Sequence, residues 1–354
     1  LGAGLRILSV TSMRNEGPYL LEWIAHHQAA GVTDFLIYSN DCDDGTDTLL
    51  DVLDAAGIIA HVPHEKDGNK SIQWQALKAA WKHPLRKQAD WVLASDVDEF
   101  VNIHVDGHRF DDLINALPEG TDAVVLPWRL YGHNDVFGIE DAPVTQQFTR
   151  AITADTNYPV SASLFKTLFR ARGPFRQMGV HRPKQKPPER AGLPSFVDGS
   201  GAPLPDLFAE TQERISLYSY STGRALAEMN HYAVRSAAAF LVKRDRGLPN
   251  RAHKKIDLAY WVERNFNCVE DRSIDAMQPG TQAALEALMG LRQVAGLHDA
   301  ALRWHREKFA ALVQDAEAHE LLTQVLTAGG STVLPRQLQR QLVRWYQNTQ
   351  NNKS

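Results

Sequence analysis

The strongest constraint on the fold is the alternation of apolar and amphipathic runs over the first hundred residues. Leu5–Val10 is a branched, apolar run, and 35–39, 58–62 and 91–95 repeat its character. Helical patterns fall between them. Over Tyr19–Ala30, Leu20, Leu21, Ile24 and Ala25 share one face and Gly31 supplies the stop. Thr46–Ala56 and the second half of 67–81 have the same period. Strand and helix in regular alternation predict a mostly parallel sheet with helices on both faces. In such a sheet ligands bind outside the carboxyl ends of the strands.

Those ends are polar in this chain. The first run leads into Arg14, Asn15 and Glu16, and the second into Asn40, Asp41, Asp43 and Asp44. The third leads into Asp67, Asn69 and Lys70, and the fourth into Asp96, Asp98 and Glu99. Strand alternation predicts Asp96 and Asp98 on one side and Glu99 on the other. Two carboxylates on one face repel unless they share a cation. Oxygen ligands suit Mg²⁺ or Mn²⁺, ions that commonly also hold substrate phosphates. A solvated acidic turn is the alternative. Asp43 and Asp44 can equally cap the next helix. Neither G-x-G-x-x-G nor G-x-x-x-x-G-K-[ST] occurs. A diphosphate bound here would therefore rest on metal and side chains rather than on a glycine-rich cradle.

Composition narrows the partners. The formal charge of −4 argues against a general nucleic-acid binder. Two cysteines, Cys42 and Cys268, make no disulfide framework, and free thiols in a reducing, cytoplasmic compartment are expected. No apolar run reaches membrane-spanning length, and Leu1–Gly4 shows no leader pattern. From Ala237 onward the pattern turns helical, which divides the chain into a catalytic region over 1–236 and a helical C-terminal region over 237–354. Residues 335–346 form a basic amphipathic helix. It either packs on the body of the protein or makes a peripheral contact with a membrane surface.

Six stretches in order carry a resemblance: Met13-Arg14-Asn15-Glu16, Leu21–His27, Asn40–Thr46, Asp96-Val97-Asp98-Glu99-Phe100, Pro127–Gly132, and Asn230–Ser236 with Phe240–Lys243. Together they resemble the glycosyltransferase family 2-like group. The resemblance implies the GT-A fold: a central, mostly parallel sheet flanked by helices, here with a helical C-terminal extension. It implies transfer of a sugar, with UDP as the expected carrier, to a glycan or lipid-linked acceptor, as in polysaccharide biosynthesis. Mn²⁺ or Mg²⁺ would be held by Asp98, with Asp96 sharing the metal or holding the ribose. His231 is the candidate third ligand and His181 its rival. Arg14, Asn15, Glu16, Asp43 and Asp44 would contact base and ribose, and Lys70 the diphosphate. An inverting hexosyl transfer needs a base, sought among His133, Asp135, Glu140 and Asp141, with Asp135 chosen. The usual Glu-Asp pair of that family is not clearly present. Two other readings stand beside this one. A nucleotidyltransferase of the same fold would be expected to show a glycine-rich phosphate loop. A non-catalytic module would bind sugar nucleotides or glycans without turnover.

Overall fold

The computed structural model describes residues 4–351 apart from 66, 69, 70, 157, 219, 221 and 248–255. Its strands are β1 (Ile7–Met13), β2 (Asp34–Ser39), β3 (Ala60–Pro63), β4 (Trp91–Ala94), β5 (Glu99–Ile103), β6 (Ala123–Leu130), β7 (Arg150–Ala151), β8 (Phe165–Arg170), β9 (Phe175–Gln177), β10 (Lys184–Gln185), β11 (Phe196–Val197), β12 (Ala227–His231) and β13 (Val269–Glu270). The helices are α1 (Gly17–Ala29), α2 (Thr46–Ala55), α3 (Ile72–Lys82), α4 (Pro84–Gln88), α5 (Phe110–Asn115), α6 (Val144–Gln147), α7 (Pro188–Ala191), α8 (Asp206–Glu210), α9 (Ala237–Arg246), α10 (Leu258–Val262), α11 (Gln278–Met289), α12 (Val294–Leu312), α13 (Ala316–Ala328) and α14 (Arg336–Asn351).

The main sheet runs β3-β2-β1-β4-β8-β6-β12-β5, with β11 beside β6. Strands β1 to β4 are parallel, β8 is antiparallel between β4 and β6, and β12 runs parallel to β6. The carboxyl ends of β1, β2, β3, β4, β6 and β12 therefore share an edge with the first residues of β5 and β8. Both faces are buried, as continuous apolar strands require. Ile7, Leu93 and Val124 pack into a core with Trp23, Leu49 and Phe110, while their neighbours Leu8, Val92 and Val125 join Leu77, Phe169 and Phe208 on the other face.

One connection shapes this edge. Residues 95–98 join β4 to β5, yet four strand-to-strand steps separate the two in the sheet. Four strand spacings in a flat sheet come to about 19 Å. Five fully extended residue steps reach only about 17 Å. The sheet must therefore curl, and β6 shows where. Its first half pairs with β8, and its second half, Trp128–Leu130, pairs with β12.

The helices after residue 237 pack onto the body. Leu288 of α11 and Val294 of α12 enter the same core as Trp23. Trp261 lies fully buried against Phe240, with Leu321 and Val325 of α13 in the same cluster. On α14, Tyr346 contacts the ring of Tyr218, while Leu338 and Trp345 are exposed. Cys42 and Cys268 are both free. Among the described residues no helix is long and apolar enough to cross a membrane. The expected early strands and helices all form, β1 running three residues further than expected. Strand β8 is not among the runs the sequence offers. Phe165, Leu168 and Phe169 are buried, but so are Lys166 and Thr167, so the alternation is masked.

Candidate active site

The acids after β4 do not follow strand alternation, because the strand ends at Ala94 and a turn intervenes before β5. Asp96 and Glu99 converge on one cation and Asp98 meets another. This corrects the expectation that Asp96 and Asp98 share a side. The fully buried Lys166, at the start of β8, places its Nζ 3.1 Å from Asp96 Oδ2 and 3.2 Å from Glu99 Oε2. Gln73 of α3 donates to Asp96 Oδ1 at 2.9 Å, and the Asp96 backbone N–H donates to Glu99 Oε2 at 2.8 Å. Burial pushes the Glu99 carboxyl up to about 8 against the pull of Lys166, and the charges of Asp96 and Asp98 push the same way. Burial opposes the Lys166 charge, but Asp96 and Glu99 hold its ammonium above the ordinary lysine range.

Asp98 is buried at the far end of the same turn. Lys243 of α9 donates to its Oδ2 at 2.6 Å, and His231 Nε2, at the end of β12, faces its Oδ1 at 3.6 Å. Burial works against the Asp98 charge, yet Lys243 and His231 hold the carboxyl well below its ordinary range. Burial lowers His231, opposed by Asp98. The His231 ring lies 4.0 Å from the Trp128 ring, and the His181 ring lies 5.4 Å from it. Burial, aided by Lys166, pushes His181 down to about 4, and its Nδ1 sits 2.9 Å from the Phe165 carbonyl.

The residues after β1 form a second polar layer. Glu16 is buried between Arg235, at 3.0 Å, and Arg246. Burial works to raise the Glu16 carboxyl, and Arg246 and Arg235 overcome it and hold it low. The Arg235 guanidinium also lies 3.6 Å from the Tyr19 ring centroid. Asn15 takes a left-handed conformation, φ 52°, and accepts from the Asp43 backbone N–H at 2.8 Å. Asp43 and Arg14 pair at 3.6 Å and remain accessible. Asp44, in contrast, is consumed by the fold. It accepts from Gly17 N–H and from the Thr46 backbone and hydroxyl, and it meets His305 Nε2 of α12 at 2.9 Å. Lys70 lies outside the described residues.

The segment after β6 carries the expected base. Gly132 passes so close to Asn267 that a Cβ would lie 2.2 Å from its Oδ1, which explains glycine there. Asn265 and Asn267 then accept from the backbone N–H groups of His133 and Asn134. This holds Asp135 exposed, at φ 60°, with Arg150 at 3.5 Å and His133 Nε2 at 3.8 Å. Asp141 faces His298, and Glu140 lines a separate hollow with Arg306 and Phe309.

The sequence pointed to Asp96, Asp98 and His231 as one metal set. Among the described residues no three His, Cys, Asp or Glu side chains gather closely enough to hold a metal ion. Asp98 and His231 come together, while Asp96 is engaged by Lys166 and Gln73. A two-donor set still suits Mg²⁺ or Mn²⁺, which typically take one or two carboxylates and complete their shell with water and substrate phosphate. Sequence reasoning missed Gln73, Lys166, Lys243 and Arg246. Lys243 closes the last of the resembling stretches without a role having been assigned to it, and Arg246 lies three residues beyond.

Several buried polar atoms at this edge have no protein partner: Trp128 Nε1, His231 Nδ1, Glu99 Oε1, Gln73 Oε1, Ser95 Oγ and Thr11 Oγ1. Buried polar groups are ordinarily satisfied, so these are atoms that a bound ligand or water could partner. Thr11, Gln73, Ser95, Asp96 and Lys166 line one small cavity there.

A curled α/β sheet with an acidic turn and buried lysines on its carboxyl edge is the GT-A architecture of nucleotide-diphospho-sugar transferases. The chain belongs to glycosyltransferase family 92, whose family model matches residues 8–196, more than half its length. That corrects the resemblance to family 2. Two similar plant proteins are family 92 glycosyltransferases. One from Oryza sativa subsp. japonica is 31% identical over 28% of this chain and 16% of its own. The other, from Ricinus communis, is 31% identical over 33% of this chain and 20% of its own. The chain thus matches a fifth or less of the length of these relatives. Among solved structures, glucosyl-3-phosphoglycerate synthase from Mycobacterium tuberculosis, in complex with Mn²⁺, UDP and glucosyl-3-phosphoglycerate, is 15% identical. Its TM-score is 0.24, over 36% of this chain and 45% of that one. TarS from S. aureus is 10% identical with a TM-score of 0.33, over 88% of this chain and 55% of that one. At these scores the likenesses carry no argument about activity.

Proposed function

We propose that this protein is a glycosyltransferase that moves a hexosyl group from a UDP-sugar to a glycan or lipid-linked acceptor with inversion. The observation that carries the reading is the turn at residues 96–99 in a chain of family 92, with unsatisfied buried polar atoms around it. Arg14 and Asp43, the accessible polar groups after β1 and β2, would bind base and ribose, with the buried Asn15 holding the Asp43 backbone. Glu16 acts through Arg235 and Arg246, holding both at the edge where negative charge must be received. Asp98 and His231 would hold the divalent ion, which when bound supplies Lewis-acid stabilisation of the departing nucleotide. Lys166 keeps Asp96 oriented towards the ligand side of the sheet. Trp128 and His181 wall the site with apolar and neutral surface, which keeps water from competing for the sugar. Asp135, held on the pinned segment after β6, is the group proposed to take the acceptor proton.

A thermal-shift screen of nucleotide sugars with and without Mn²⁺ tests this. A ligand at a hundred times its dissociation constant adds about 2.7 kcal/mol to the native state. A UDP-sugar with Mn²⁺ should raise the midpoint, and hydrolysis of that donor should follow. No shift with any nucleotide sugar would sink the reading.

A further inference from the structure

Lys243 is a buried cation already seated where a metal ligand is expected. It lies 9% exposed on α9. Its Nζ spends one hydrogen on Asp98 Oδ2 at 2.6 Å and another on the Ala233 carbonyl at 2.7 Å. Asp98 is its only anionic partner among the described residues. Lys166 differs, because it has two carboxyl partners to give up, Asp96 at 3.1 Å and Glu99 at 3.2 Å. Lys243 leaves only one carboxylate, and that carboxylate also faces His231. An ammonium on Oδ2 and a divalent cation between Oδ1 and His231 would lie side by side on one buried carboxylate and repel each other strongly. A diphosphate changes the balance, since it brings several anionic oxygens to which the ammonium can transfer.

We propose that Lys243 is a resident counter-ion of Asp98 that the donor's diphosphate draws away, so that divalent metal and nucleotide diphosphate bind as a pair. Metal alone must displace the ammonium with nothing to receive it, and therefore binds weakly. Diphosphate receives the ammonium, frees Asp98, and favours the metal. Coupling of this kind is reciprocal, so metal raises nucleotide affinity by the same factor. The inference rests on the nucleotide-sugar reading above.

The test is calorimetric titration of Mn²⁺ into the protein with and without UDP, for wild type and Lys243→Met, with folding checked by circular dichroism. Wild type should bind Mn²⁺ weakly alone and far more tightly with UDP. Lys243→Met should bind Mn²⁺ alone about tenfold more tightly or better, and the enhancement by UDP should shrink by a similar factor. Unchanged Mn²⁺ affinity in Lys243→Met, with the wild-type enhancement intact, overturns the counter-ion role and leaves the nucleotide-sugar reading standing. Absence of Mn²⁺ binding in either protein even with UDP overturns that reading and this inference together. Should Lys243→Met fail to fold, Lys243→Arg decides. Its guanidinium grips Asp98 through two parallel bonds, so Mn²⁺ affinity in the presence of UDP should fall several-fold. An unchanged value overturns the proposal.

Discussion

Glu99 is a buried acid that the fold holds in its protonated form, and replacing it should reveal the cost of its charge. Its carboxyl has no exposure, and one of its oxygens, Oε1, has no partner. The unfolded chain releases this proton near 4.5 and the folded protein near 8. Between those values the folded state binds the additional proton, so stability falls as pH rises through this window. The separation corresponds to roughly 5 kcal/mol. Glu99→Gln resembles the protonated acid in shape and accepts the same bond from the Asp96 N–H, but has no proton to lose. In metal-free buffer, urea unfolding should give similar stabilities for both proteins at about pH 5. At about pH 8.5 the variant should be more stable by about 3–5 kcal/mol. A difference independent of pH, or one that moves in favour of wild type as pH rises, would refute the account of Glu99 as a buried neutral acid.

Other substitutions probe separate layers. Asp98→Asn should lower donor hydrolysis and transfer by about two to three orders of magnitude with the fold retained by circular dichroism; wild-type rates would remove Asp98 from the chemistry. Asp44→Ala strips α1, α2 and His305 of a shared buried acceptor and should cost about 3–5 kcal/mol in urea unfolding. Burial opposes the Asp44 charge, but the bonds from His305 and Thr46 hold its carboxyl below 3.8. Its contribution should therefore persist above that value and disappear as pH falls further, which acid titration of wild type against the variant would show. Trp261→Ala empties the cluster joining α9, α10 and α13 and should cost about 3–5 kcal/mol; a loss below about 1 kcal/mol would mean that those helices are not held through it.

The sheet was legible because both its faces are buried, so each strand reads as a continuous apolar run with helices between. Polar ends on four such runs pointed to the edge on which the candidate site is proposed. The pairing of the acids was not legible, since a period of two ends with Ala94 and a turn decides the rest. Lys166, the counter-charge of that turn, carried no signal, because every residue from Phe165 to Phe169 is buried and the strand shows no alternation. Lys243 and Arg246 are separated from the acids by well over a hundred residues, and only the packing of α9 against the edge brings them back. Asp44 is the opposite case: of the two roles open to it after β2, its bonds fill the capping one and hold three helices.

The bridge from β4 to β5 has a further consequence. With the curled sheet it closes a ring of five strands, one link covalent and the others hydrogen-bonded. Removing a residue between 95 and 98 shortens the covalent link while the bonded links keep their lengths, so the ring must either open or curl more tightly. Residues 131–164 lie outside this ring and can lengthen or change composition without altering its circumference. The place where a diphosphate is proposed to be received is therefore gauged by the length of a four-residue span.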